Sequence, residues 1–183
     1  MWADFNSVAP RGLDERVKRM VATIHTAMGF AALLFGAAVL LRAKGTRSHV
    51  WTGRLYVASM LVLNVTAFGI YNLFGRFGVF HWFALASLAT IIAGMIPVWF
   101  LRRSKNWISP HYQFMAWSYA GLLAATSNEI FAHVPALNGI AGKAPWVPWA
   151  CIAAIFVAAI AAIPFMEARF VAGMRQPATS DGG

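Results

Sequence analysis

Five stretches of roughly twenty mostly apolar residues, separated by short polar connections, take up most of this 183-residue chain. They run from about Met20 to Leu41, Trp51 to Phe74, Val79 to Leu101, His111 to His133 and Trp146 to Phe170. A helix rises about 1.5 Å per residue, so about 20 apolar residues cross the ~30 Å hydrocarbon core of a bilayer. With 60% hydrophobic and 11% charged residues, the chain lies far from soluble domains, in which about a quarter of residues are charged. Lipid offers the backbone no partners, so each stretch must close its hydrogen bonds internally as a helix. The expectation is an all-α integral membrane bundle of five transmembrane helices, with the first four forming the functional core.

Around that bundle, residues 1–19 read as a polar, interfacial segment in which Asp14 is placed to cap a helix that continues into the first span. Residues 20–171 form the transmembrane domain, and 172–183 a disordered tail. The first span is too long for a signal-peptide core and no small-residue cleavage site follows it, so it is expected to be retained. Val134–Pro145 reads as the longest loop, with Trp146 and Trp149 at the interface beyond it. Pro164 is positioned to kink the last helix. The single cysteine, Cys151, sits among Ala and Ile, which excludes a disulfide framework or a cysteine metal cluster.

The net charge of +9 is distributed between the spans, with no basic stripe of the kind nucleic acid requires. Anionic lipid headgroups are the expected partners. Nine Lys and Arg residues fall on the side of the first loop, third loop and tail, against six on the other side. The positive-inside rule then places the carboxyl terminus in the cytoplasm.

All five histidines lie near the ends of apolar stretches: His25, His49, His81 and His111 near the starts of the first four, and His133 at the end of the fourth. Imidazole at the edge of hydrocarbon is costly unless paired, liganded or wet, so these residues mark a candidate site. Ser48 before His49, and Ser109-Pro110 before His111, read as helix starts capped by serine. From each of those histidines, helical spacing traces one face: His49, Gly53, Tyr56, Met60, Asn64, Ala67 and Tyr71 in the second span; His111, Met115, Ser118, Leu122, Thr126, Glu129 and His133 in the fourth. The likeness suggests two related hairpins followed by an extra helix.

Several chemistries fit these groups. Glu129 reads as the only acidic side chain well inside a span; with His133 one turn on, it forms a proton-sharing pair or serves as a catalytic base. His25, His81 and His133 belong to one membrane face, where three imidazoles suit zinc, iron or copper. Axial imidazoles from facing helices suit haem b, with His49 and His111 at the opposite face. Arg54 and Tyr56, beside His49, add a cation and a phenol for a quinone head, a lipid phosphate or a carboxylate. The leading expectation is a haem- or transition-metal-binding membrane redox protein. A metal-dependent membrane hydrolase with Glu129 as base, a proton-coupled transporter or accessory subunit, and a purely structural role are the alternatives. Assembly as a homo-oligomer or in a larger membrane complex is compatible with each.

The segments His49-Val-Trp-Thr-Gly-Arg-Leu-Tyr56 and His111-Tyr-Gln-Phe-Met-Ala-Trp-Ser-Tyr119 resemble a bacterial membrane family known as domain of unknown function 2306. The resemblance extends from about His25 to His133, and departs from the family pattern at Trp117, where arginine is common. It implies a multi-span protein of the bacterial inner membrane and no established activity. A looser, fold-level likeness is to b-type transmembrane cytochromes, which pair histidines across helices near both membrane faces.

Overall fold

A computed structural model describes residues 11–69, 79–104 and 106–175. Six helices make up these residues: α1 (Arg11–Leu41), α2 (Arg47–Gly69), α3 (Val79–Phe100), α4 (Ile108–His133), α5 (Pro135–Lys143) and α6 (Trp146–Arg175). No strand occurs among the described residues. The chain forms two compact units, Met1–Leu88 and Ala89–Gly183, with the boundary inside α3.

Among the described residues, three helical segments, Glu15–Leu41, His81–Phe100 and Trp146–Phe170, are long and apolar enough to cross a membrane. The other two of the expected five, α2 and α4, are not confirmed by that measure. The helices α2 and α4 are long enough, but polar side chains dilute them, and both turn some of those side chains inward: Thr52, Ser59 and Asn64 on α2, and Ser118 on α4, are buried. In contrast, α1 and α6 present large apolar side chains outward, among them Phe30, Leu34, Val157 and Ile160. Apolar side chains turned outward and polar ones turned inward are what a lipid solvent selects.

In the first unit α1 and α2 pack as an antiparallel hairpin, with Gly29 opposite Leu63 and His25 opposite Thr66. The turn between them uses Gly45 at φ 79°, a left-handed conformation that a side chain would strain. Lys44 Nζ donates to the carbonyls of Val39 (2.7 Å) and Leu40 (2.8 Å), supplying the partners that the last turn of α1 lacks. Burial there holds the Lys44 ammonium below its ordinary pKa. The expected cap of α2 moves by two residues. Thr46 Oγ1 accepts the His49 backbone N–H at 3.1 Å, whereas Ser48, already inside the helix, receives a hydrogen bond from Arg42.

In the second unit α4 packs on α6, and ring contacts fix the pairing: Trp117 stacks on Phe156, and Tyr112 on Phe170, each with centroids 6.3 Å apart. Ser109 does not cap α4. The cap position is Trp107, and the Ser109 hydroxyl is used instead on Glu167 of α6. The expected loop at Val134–Pro145 is largely helix. Pro135 starts α5 at a position where its missing N–H costs nothing, and Asn138 Nδ2 reaches back to the Ala132 carbonyl at 3.1 Å. Glycines at 139 and 142 lower helix propensity without forbidding a two-turn helix held against α4 and α6. The helix expected from Asp14 is already formed at Arg11, and α6 continues through Pro164 to Arg175. Of the disordered tail expected at 172–183, residues 172–175 instead belong to the last turn of α6, and the rest lies outside the described residues.

Candidate functional site

The first turns of α4 hold the best-defined histidine. His111 is half-buried, and its Nδ1 lies 2.7 Å from the carbonyl oxygen of Gly94 on α3. A carbonyl only accepts, so Nδ1 carries the hydrogen and the lone pair of the neutral ring sits on Nε2. The contact is made at a glycine. A Cβ at position 94 would stand 2.9 Å from Met115 Sδ and 3.2 Å from Phe114 Cβ, so the bare backbone lets α3 approach α4. Trp107 lies 6.3 Å from the His111 ring, and the Arg102 guanidinium stands 5.9 Å from the Trp107 centroid.

On the opposite side of the same turns, Ser109 and Gln113 both donate to the Glu167 carboxylate of α6. Residues two apart on a helix point about 160° apart, so α4 is gripped from α3 through His111 and from α6 through its neighbours. Glu167 overturns the expectation that Glu129 is the only acid well inside a span. Its signal was present in the sequence as the one carboxylate in the last apolar stretch.

In the first unit His25 Nδ1 lies 3.0 Å from Thr66 Oγ1. The Thr66 hydroxyl sits 2.8 Å from the Val62 carbonyl and 2.9 Å from that of Leu63, so its one hydrogen goes to its own helix. Toward His25 it accepts, which again places the hydrogen on Nδ1 and the lone pair on Nε2. His81 is buried, with its ring 6.2 Å from that of Phe68. Asn64 Nδ2 donates to Ser87 Oγ at 3.2 Å, alongside a 2.8 Å bond to the Met60 carbonyl. Thr66 thus faces α1 while Asn64 and Phe68 face α3, and His25 and His81 contact opposite sides of α2.

The remaining expected site residues separate clearly. His49 is half-buried and Tyr56 is 2% exposed, both on the inward face of α2. Arg54 points the other way, exposed, with its guanidinium 5.2 Å from the Trp51 centroid. At the far end of α4, His133 Nδ1 lies 3.2 Å from the Glu129 carboxylate, with both side chains exposed. Among the described residues, no three His, Cys, Asp or Glu side chains are grouped closely enough to hold a metal ion.

A sequence model of the family described as Predicted membrane protein (DUF2306) matches residues 22–168. No curated protein and no solved structure matches the chain. The chain belongs to that family and is a membrane protein.

Proposed function

We propose that this member of the family is a five-span redox protein of the inner membrane, in which imidazoles hold haem or a transition metal. The reading rests above all on the His111 ring. Imidazoles that ligate metals usually donate their second ring N–H to a carbonyl or similar acceptor, which fixes the ring and strengthens the ligating nitrogen. His111 has that partner in the Gly94 carbonyl, supplied by another helix at a glycine. His25 has an equivalent partner in Thr66. In a five-span order His25 and His111 belong to opposite membrane faces, which suits one centre near each. Haem or a transition metal would supply one-electron transfer; the protein's part is to orient the imidazoles and exclude water.

The visible spectrum of the purified full chain in detergent tests this, together with elemental analysis. We expect either a Soret band that shifts on dithionite reduction, or a transition metal near one per chain or more. That signal should fall in His111→Ala and His25→Ala. A colourless, metal-free protein would overturn the proposal and leave the two hydrogen bonds as ties between helices. The Glu129–His133 pair at 3.2 Å supports a second reading, a surface proton relay. It predicts loss of proton-coupled transport in Glu129→Gln with an unchanged spectrum.

A further inference from the structure

The outward face of α2 has the shape of a lipid-binding surface. Arg47 and Arg54 lie about 20° apart around the helix, two turns apart along it, with Trp51 between them. All three are exposed, Trp51 to 62%, and the Arg54 guanidinium stands 5.2 Å from the Trp51 ring centroid. Below them on the same face come Ala58, Leu61, Val62 and Val65, all exposed and all apolar. From Arg54 to Val65 this track is about 16 Å long, close to an extended acyl chain. Opposite lie Thr52, Tyr56, Ser59, Met60 and Asn64, all buried.

The position is right for a headgroup. The candidate span in α1 ends at Leu41, and the chain turns at Gly45 before α2 starts at Arg47, so the two arginines flank the membrane surface. The nearby cations are engaged: Lys44 closes the end of α1, and Arg42 donates to Ser48. The sequence contains no Asp or Glu between Glu15 and Glu129. Glu15 is paired with Lys18 toward the other end of α1. Among the described side chains of the first unit, then, no acid is left to pair with Arg47 and Arg54.

We propose that Arg47, Trp51 and Arg54 bind the phosphate of an anionic diacyl phospholipid whose acyl chains lie along Ala58, Leu61, Val62 and Val65. Guanidinium groups pair with phosphate oxygens in a forked geometry, and the indole anchors the glycerol level of the bilayer. The surface is independent of any cofactor.

The test uses the full chain, delipidated in neutral detergent and titrated with dioleoyl phosphatidylglycerol or dioleoyl phosphatidylcholine, with bound lipid counted by native mass spectrometry. Phosphatidylglycerol should bind more tightly. Loss of one arginine near an anionic headgroup should weaken binding about fivefold, so Arg47→Gln with Arg54→Gln should weaken it about 30-fold. Arg16→Gln, far along α1, should leave it unchanged. Raising salt from 50 to 500 mM should weaken binding to the wild-type chain, a measurement that needs no variant. Equal binding of the two lipids, salt-independent binding, or wild-type affinity in the double variant would each overturn the proposal.

Discussion

The two ends of α4 carry a histidine on the same helical face, and the two rings have different fates. His111 gives its Nδ1 hydrogen to a carbonyl on another helix, seventeen residues away in sequence, at a position only a glycine can fill without displacing neighbours. His133 uses its Nδ1 within its own last turn, 3.1 Å from the Glu129 carbonyl and 3.2 Å from the Glu129 carboxylate, with the side chain exposed. Periodicity alone makes these two rings equivalent. The neighbours make one a cross-helix fixture and the other a local helix end.

That contrast can be broken most forcefully at Gly94. Gly94→Val places methyl groups where Met115 and Phe114 already stand, and overpacking of this kind costs about 1–3 kcal/mol. Thermal unfolding in detergent should show the loss, and a variant as stable as the wild type would mean that α3 and α4 do not meet there. Next comes Glu167→Ala, which leaves Ser109 and Gln113 without their common acceptor. Half-buried donors stripped of a charged partner lose about 1–3 kcal/mol, and Glu167→Gln should recover part of it. Third, His111→Ala should destabilise by about 1–2 kcal/mol. At the other end His133→Ala should stay within about 0.5 kcal/mol, as exposed ion pairs do. Equal effects at the two ends would erase the comparison. The smallest effect belongs to Thr66→Val, at about 1 kcal/mol or less. It keeps the shape of the side chain and removes the acceptor of His25, so its mark should be a change in the His25 tautomer more than in stability.

Much of the helical framework was legible in the sequence, because helix position follows from apolar runs that lipid forces to be helical. The inward face of α2 was legible for the same reason: spacing from His49 through Tyr56 and Met60 to Asn64 picks out residues that are half-buried or buried. The face of α4 was legible from His111 to Thr126 and failed at Glu129 and His133, which are exposed near the end of the helix. Caps were misread by small shifts. Serine and threonine compete for the same role, and Thr46 stands one residue outside α2 where Ser48 does not. Local pattern could not reveal which partner each polar group meets. Ser109 finds Glu167 fifty-eight residues later, and His111 finds a backbone carbonyl, which has no side-chain signature at all.

The central claim is that His111 and His25 hold their hydrogens on Nδ1, so that Nε2 presents the lone pair. Nitrogen NMR of the full chain labelled with ¹⁵N-histidine, assigned by His111→Ala and His25→Ala, reads this directly at a pH above the imidazole range. The account predicts a protonated Nδ1 and an unprotonated or ligated Nε2 at both positions, with His25 changing in Thr66→Val. A protonated Nε2 on His111 would contradict it.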